Sequence, residues 1–328
     1  MKKLISVPIP VFNSGNYLNQ SINSILNQSY EHFEIIICDD GSNDNSRSII
    51  ESFRDSRIKV YHNDENIGVL KTRNKLFEYC TGQYIAFQDA DDLSHSERFI
   101  VQLNAFIRDP DLMLCGTNFS YINKKSNVFF NQDVIETHLE IKNQLLEKNM
   151  FQFPSLMVDS RVLEEVGGFR EEFKQLGNIS DDYDWILRIS EKFKVGNVNH
   201  NETLYYYRSI PGSLTRSRFG ASRLIGHKIA QYLAKQRAET GTDDLMLNRI
   251  KNLSSFKSKL LKPYISDPSL VFRELAASFM FNRLFLQAIM NSLQAIKKSP
   301  LAFVNYRTLQ YCVRKSLVSI LFESTSSN

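Results

Sequence analysis

The pattern of apolar and polar positions changes character once along the chain, near Thr215. From Lys2 to about Ser120, short β-branched runs alternate with segments whose apolar residues recur at helical spacing. The runs predict strands at Leu4–Ile9, Phe33–Cys38, Ile58–Tyr61, Tyr84–Phe87 and Leu112–Tyr121. Between them, Leu18, Ile22, Ile25 and Leu26 predict one helix, Ile49, Ile50 and Phe53 a second, and Phe99, Leu103 and Phe106 a third. Helix starts are signposted at Asn13-Ser14, at Ser42 or Asp44, and at Ser94 with Glu97 three residues on, a capping-box pattern. This alternation predicts an α/β domain, a mostly parallel sheet with flanking helices. After Thr215 the strand signals stop. Helices are expected there at Ser217–Gln236, Asp243–Leu261, Ser269–Ile296 and Leu301–Phe322, punctuated by Gly241, Pro263, Pro268 and Pro300. The chain thus divides into a domain at 1–215 and a mostly helical region at 216–328.

Charge sharpens the division. After Thr215 there are 18 Lys and Arg against 6 Asp and Glu, a net of +12; up to Thr215 there are 22 against 30, a net of −8. An acidic part suits cations, and a basic part faces something anionic. A chain of 328 residues with 42% hydrophobic and 12% aromatic residues is globular, so disorder is excluded. Cys38, Cys80, Cys115 and Cys312 lie far apart with no CxxC pair, which excludes a zinc knuckle and points to a reducing, cytoplasmic setting. The apolar run from Leu4 is broken by Pro8 and Pro10 before it reaches signal-peptide length. The longest uncharged apolar stretch, Leu284–Ile296, is too short to span a bilayer. A soluble or peripheral protein is expected.

In open α/β sheets ligands bind beyond the carboxyl ends of the strands. Here the first strand runs out into Pro10-Val11-Phe12-Asn13, the second into Asp39-Asp40-Gly41-Ser42, and the fourth into Asp89-Ala90-Asp91-Asp92. Five carboxylates at two strand ends are expected to crowd and repel unless a cation or ligand hydrogen bonds relieve them. Hard oxygen donors suit Mg²⁺ or Mn²⁺. Asp-Asp-Gly-Ser is equally a good turn and helix cap.

These residues, with Val7-Pro8-Ile9, Ser24–Tyr30, Phe33–Ser42, Asn66-Ile67-Gly68, Thr72-Arg73-Asn74, Thr81–Asp92, Gly167-Gly168-Phe169 and Asp181–Arg188, resemble glycosyltransferase family 2 over roughly residues 3 to 215. The resemblance implies a GT-A fold and an inverting transfer from a nucleotide-diphosphate sugar. It implies that Phe12 stacks on the donor base, usually uracil, beside Pro10, and that Asp40, with Asp39 as neighbour, accepts from the base edge. Arg73 and Asn74 would line the nucleotide pocket. Asp89, Ala90 and Asp91 would form the DxD motif, Asp91 as the direct metal ligand and Asp89 near the ribose. Asp182 takes the catalytic-base position of a helix that Asp181 opens, where the helix dipole favours a carboxylate; a mere cap is the alternative. The chemistry agrees with these residue types. A dication stabilises charge on a leaving diphosphate, one carboxylate can take the acceptor's proton, and a single displacement inverts the anomeric carbon.

Two positions depart from the family. Pro8 lies inside the first strand, where proline predicts local irregularity or a later start. Ile210 stands where many relatives carry a His that reaches the metal or diphosphate, so coordination is expected to rest on carboxylate and phosphates. His62, His95, His138, His200 and His227 have no partner spacing and read as surface or loop residues; Arg208, Arg216 and Arg218 remain candidates for the diphosphate. These departures keep a non-catalytic nucleotide-binding scaffold as the alternative. The only tryptophan, Trp185, is not in a Gln-x-x-Arg-Trp motif, which implies one sugar per encounter. The basic region suits either an anionic membrane surface, where relatives extend lipid-linked saccharides, or a homo-oligomer contact. No nucleic-acid motif accompanies the charge.

Overall fold

The structure, a computed structural model, describes residues 3–177, 180–209, 221–281 and 284–325. Ile210, Arg216 and Arg218 lie outside the described residues. The elements in chain order are β1 (Ile5–Val11), α1 (Leu18–Leu26), β2 (Phe33–Asp39), α2 (Ser46–Ser52), β3 (Ile58–His62), α3 (Val69–Tyr79), β4 (Tyr84–Ala86), β5 (Leu93–Ser94) and α4 (Arg98–Arg108). There follow β6 (Leu112–Thr117), β7 (Phe119–Ile122), β8 (Val128–Gln132), α5 (His138–Leu145), β9 (Met157–Asp159), α6 (Arg161–Val166), α7 (Asp181–Lys192), β10 (Lys194–Val198) and β11 (Tyr205–Arg208). A seven-stranded sheet has the order β10-β6-β9-β4-β1-β2-β3, and a four-stranded one the order β5-β11-β7-β8. The large sheet is parallel except for β9, which runs against β4 and β6.

β1 and β2 are buried along nearly their whole length because helices cover the sheet, which is why they read as continuous Val and Ile runs. Leu18, Ile22 and Ile25 of α1 and Phe99, Leu103 and Phe106 of α4 pack into this core. Each such side chain contributes about 1.5–3 kcal/mol by leaving water.

Pro8 leaves β1 unbroken. The seven residues pair with β2 throughout, from Ile5 with Phe33 to Val11 with Asp39. The Leu4 carbonyl accepts from Tyr84 on the β4 side, whereas the Ile5 N–H donates to His32 on the β2 side. Alternation therefore turns the nitrogens of Pro8 and Pro10 toward β4, where pairing ends at Ser6. No bond of the β1–β2 ladder is lost.

Other expectations need correction. The predicted strand Leu112–Tyr121 is two strands in different sheets, separated at Asn118, whose side-chain amide donates to the carbonyls of His200 (3.0 Å) and Glu202 (3.2 Å). β5, β8, β9, β10 and β11 escape the pattern, being short or, like the Tyr-Tyr-Tyr-Arg of β11, without alternation. The capping box does not form: Glu97 makes no side-chain cap, and Ser94 lies in β5, its hydroxyl donating to Gln88 Oε1 (2.7 Å).

Beyond β11 come α8 (Ala221–Thr240), α9 (Ile250–Ser266), α10 (Leu270–Phe281), α11 (Phe285–Lys298) and α12 (Phe303–Thr325). The helix expected at Ser269–Ile296 is two, α10 and α11. Pro263 sits within the last turn of α9 instead of ending it, so the helix forgoes one N–H···O=C bond there. The chain forms two compact units, Met1–Ser217 with His227–Asn248, and Arg218–Gly226 with Arg249–Asn328. Residues 227–248 thus join the first unit. Ion pairs and burial tie them there: Arg237 pairs with Glu191 (2.7 Å) and Asp243 with Arg170 (2.7 Å), and Ile229 and Leu233 are fully buried. In the second unit Ala276, Ala288 and Cys312 make a small core. Among the described residues no helix is long and apolar enough to cross a membrane.

Candidate active site

The loops leaving β1, β2 and β3 are laced together by side chains that the sequence places at strand ends. Asn13, at φ +50, donates its N–H to Ser42 Oγ (3.0 Å) and accepts from the Asn43 N–H on its side-chain oxygen (2.8 Å). The Ser14 N–H reaches Ser46 Oγ (2.9 Å) and that of Gly15 reaches Asp44 Oδ2 (3.0 Å). Phe12 stands on this lacing, 45% exposed, unusual for a phenylalanine beside a buried strand, while Pro10 is half-buried.

Asp39 and Asp40 part company. Both oxygens of Asp40 are spent on the loop after β3: Oδ1 accepts from Asn63 Nδ2 (2.8 Å) and the Ile67 N–H (3.0 Å), and Oδ2 from the Gly68 N–H (3.0 Å). Asp40 is a buried loop anchor in this structure, with its acceptors filled from within the chain. Gly41 lets the loop close over it: at φ +70, any Cβ would lie 2.8 Å from the Asn66 nitrogen. Asp39 accepts from the Ser42 N–H (3.1 Å), and its second oxygen lies 3.6 Å from His62 Nδ1. That nitrogen is buried with no hydrogen-bond partner among the described residues. His62, read from sequence as a surface or loop residue, is the half-buried last residue of β3 facing Asp39.

The Asp89–Asp92 loop is held from three sides. Asp89 Oδ1 pairs with Arg73 Nη2 of α3 (2.9 Å), whose guanidinium lies 4.7 Å from the centroid of the Phe153 ring. The buried Tyr205 hydroxyl accepts from the Asp89 N–H (3.3 Å) and donates to Asp92 Oδ2 (2.8 Å). Arg208, only 1% exposed, donates from Nε to the Asp91 carbonyl (2.6 Å) and from Nη1 to the Asn123 carbonyl (3.1 Å) and Ser126 Oγ (2.9 Å). Its Nη2 reaches Gln20 Oε1 (3.2 Å). A guanidinium so committed is a clamp on the loop, which corrects its reading as a free diphosphate contact. Beneath lies Arg98, fully buried, donating to the Phe87 carbonyl (2.6 Å) and Ser94 Oγ (2.7 Å).

Asp91 is the exception. Half-buried, its carboxylate has no hydrogen-bond donor among the described residues other than its own main chain. Burial, and then the charge of Asp89, push its pKa up to about 6. Asp92 is raised further, by burial and by the charges of Asp91 and Asp89. Asp89, Asp91 and Asp92 do crowd, close enough for their charges to raise Asp91 and Asp92, while Asp39 and Asp40 are each engaged within the neighbouring loops. Among the described residues no three His, Cys, Asp or Glu side chains could hold a metal by themselves. A single unclaimed carboxylate beside a second negative charge fits a divalent cation completed by phosphate oxygens and water.

α7 is joined to this loop through aromatic packing. Asn74 gives its amide to the Phe169 carbonyl (2.8 Å) and accepts from the Phe169 N–H (2.9 Å), so it pins the turn at Gly168, where a Cβ would meet it at 2.5 Å. Phe169 packs on the buried Trp185 of α7 (5.1 Å between centroids), whose Nε1 donates to the Gly167 carbonyl (2.8 Å). Asp182 stands in the first turn of α7, half-buried, accepting from the Tyr183 N–H (2.8 Å). Ser180 precedes the helix at φ +59 and makes no side-chain cap. Asp184, fully buried one turn before Arg188, pairs with it (2.9 Å) and with Arg237 (3.3 Å), fixing the helix against α8.

Of the residues singled out in the sequence, Arg73, Asp89, Ala90 and Asp91 come together; Phe12, Pro10, Asp39 and Asp40 lie at the neighbouring strand ends. The sequence reading missed His62, Asn63, Gln88, Arg98 and Tyr205 as parts of the site's frame. Only the charge of Arg98, next to Phe99 of the apolar helix stripe, could have signalled one of them.

A family model described as Glycosyl transferase family 2 matches residues 6–167. Glycosyltransferase GlyG of Streptococcus pneumoniae serotype 4 is 31% identical over 234 residues, 68% of this chain and 76% of that one. WfaP of Escherichia coli, a UDP-Glc:alpha-D-GlcNAc-diphosphoundecaprenol beta-1,3-glucosyltransferase, is 28% identical over 219 residues, 66% of this chain and 82% of that one. The solved structure of S. aureus TarS 1-349 in complex with UDP-GlcNAc superposes with a TM-score of 0.59 at 18% identity, covering 95% of this chain and 88% of that one, and so shares the fold. With a relative at this identity matched over most of its length, on the α/β frame just described, the chain belongs to glycosyltransferase family 2.

Proposed function

We propose that this glycosyltransferase is metal-dependent, inverting and non-processive, and that it moves a sugar from a UDP-sugar to a hydroxyl of a saccharide or lipid-linked saccharide in surface polysaccharide, O-antigen or lipooligosaccharide synthesis. One observation carries the reading: among the described residues only its own main chain donates to the Asp91 carboxylate, whereas Asp89 is paired with Arg73 and Asp92 with Tyr205. Asp91 would hold Mn²⁺ or Mg²⁺ within reach of the Asp89 charge. Such an ion supplies Lewis-acid stabilisation of the charge that builds on the departing diphosphate. Phe12 offers an exposed ring to the base, and Asp39, buried beside His62, lies at the neighbouring strand end. With Asp40 and Asn74 engaged inside the chain, we assign them to positioning: Asp40 holds the loop over the base site, and Asn74 holds the turn that seats α7. Asp182 takes the proton of the attacking hydroxyl. No covalent nucleophile is required, so one displacement inverts the anomeric centre. Trp185, the only tryptophan, stands outside a Gln-x-x-Arg-Trp motif, which supports one sugar per encounter.

The UDP-Glc donor and GlcNAc-diphosphoundecaprenol acceptor in the name of WfaP supply the first substrates to test. Incubated with an α-linked UDP-hexose, Mn²⁺ and a synthetic GlcNAc-diphospho-alkyl acceptor, the protein should give a β-linked product by proton NMR. An α-linked product would sink the inverting assignment.

The second unit supports a membrane-surface role. On α11, Leu286, Met290 and Leu293 form an exposed apolar stripe, followed by Lys297 and Lys298 in the last turn. The full protein should float with vesicles containing anionic phosphatidylglycerol at low salt and be released by about 0.5 M salt, since an exposed charge is screened within a few ångströms there. Failure to float at low salt, with elution as a dimer, would give this face to a second copy instead.

A further inference from the structure

The helix that carries Asp182 starts without a side-chain cap, and buried groups hold its first turn instead. Asp184, two residues after Asp182, is fully buried and joins two guanidiniums. Its Oδ2 accepts from Arg188 Nε (2.9 Å) and its Oδ1 from Arg237 Nη1 (3.3 Å). Arg188 faces the donor side. It donates to the Val166 carbonyl (2.7 Å) and the Gly168 carbonyl (2.8 Å), in the turn that Asn74 pins through Phe169. Arg237 belongs to α8, in the basic region whose charge the sequence offers to an outside partner.

Its charge is spent inside the chain. Only 8% of the Arg237 side chain is exposed. Nε and Nη2 donate to the two oxygens of Glu191, in the last turn of α7, at 2.7 Å each. Nη1, besides meeting Asp184, donates to Asp243 Oδ2 (2.6 Å), which also accepts from Arg170 Nη1 (2.7 Å). Asp184 and Glu191 are two turns apart and share a face of α7. One planar guanidinium therefore grips the helix at both ends, a geometry that the point charge of a lysine does not reproduce.

We propose that Arg237 is a positioning residue for transfer: through Asp184 it holds the first turn of α7 and so sets the distance from the Asp182 carboxylate to the attacking hydroxyl. The inference rests on the assignment of Asp182 as the base and extends it to a residue beyond both sheets. A general base acts only within hydrogen-bond reach of the proton it takes, and a misplacement of about 1 Å costs about 10²-fold. UDP binding is expected to stand apart from this control, because Phe12 and Asp91 lie in the loops after β1 and β4 and not on α7.

Arg237→Lys keeps the charge and removes the fork. It should lower kcat by about 10- to 100-fold, while UDP affinity by calorimetry stays within about twofold and far-UV circular dichroism is unchanged. Action through Asp182 has a signature that a purely structural role lacks. In Asp182→Asn the base is already gone, so adding Arg237→Lys should cost less than about threefold more, residues that act as a unit being non-additive. Glu191→Gln loosens the same grip at a more exposed partner and should lower kcat by about threefold or more. Lys192→Ala, which removes an exposed ion pair of the same helix, should leave kcat at the wild-type level. A folded Arg237→Lys with wild-type kcat would overturn the proposal, as would the same fold loss in the Asp182→Asn background or a fall in UDP affinity as large as the fall in kcat. If Arg237→Lys does not fold, Glu191→Gln decides, and unchanged kcat there overturns it. Undiminished transfer by Asp182→Asn alone would instead sink the base assignment, and the role of Arg237 with it.

Discussion

Asp182→Asn should lower sugar transfer by about 10²–10⁴-fold, the usual worth of a positioned general base, and leave UDP affinity within about twofold of wild type. The substitution is nearly isosteric, and Asn keeps the oxygen that accepts from the Tyr183 N–H, so α7 has no reason to shift. The frame around that helix is independent of the side chain: Trp185 is fixed to the Gly167 carbonyl, and Asp184 to Arg188 and Arg237. What the amide lacks is the capacity to take a proton. Asp181→Asn is the matched control at the adjacent position and should retain transfer. Steady-state assays of both variants beside UDP calorimetry separate the outcomes. Undiminished transfer by Asp182→Asn removes it from the base role and makes it a helix-terminal carboxylate only.

The parts of this molecule that were legible in the sequence are those where one physical demand dominates. β1 and β2 are covered on both faces, so their Val and Ile runs could hardly be anything else, and α1 and α4 show their stripes because one side meets the sheet. The small sheet was invisible for the opposite reason. β5 has two residues and β11 is tyrosines followed by arginine, so period-2 alternation has nothing to act on. The break at Asn118 depends on carbonyls more than eighty residues away, which no local window contains. Pro8 shows a subtler limit. The proline was visible, but whether it harms the strand depends on which neighbour its nitrogen faces, and that is a fact of sheet order.

At the site, residue identity was legible and partnership was not. Asp39-Asp40 reads as two equivalent carboxylates; the fold spends Asp40 on three loop donors and leaves Asp39 with one main-chain donor and a histidine nitrogen unpartnered among the described residues. Arg208 looked available because a sequence shows charge without showing burial. Its donors are committed to the Asp91 carbonyl and the β7–β8 turn, so it shapes the loop from behind.

The same sorting leaves Asp91 as the residue whose loss should hurt most on the donor side. Asp91→Asn keeps size and removes the charge, and since no neighbour among the described residues other than its own main chain donates to it, no internal bond is broken. Transfer should fall by about 10²-fold or more, the scale of losing an electrostatic stabiliser of the developing charge, with the fold intact. The effect should reach the ground state too, because metal and diphosphate bind together. Titrating UDP into the protein by calorimetry, with Mn²⁺ and again with EDTA, in wild type and Asp91→Asn, puts the whole account on one measurement. The account predicts that UDP binds wild type much more tightly with Mn²⁺ than with EDTA, and that Asp91→Asn binds weakly and alike in both. UDP binding that ignores the metal, or an Asp91→Asn variant as metal-responsive as wild type, would contradict it, and no UDP binding in either condition would favour a nucleotide-fold scaffold without this donor.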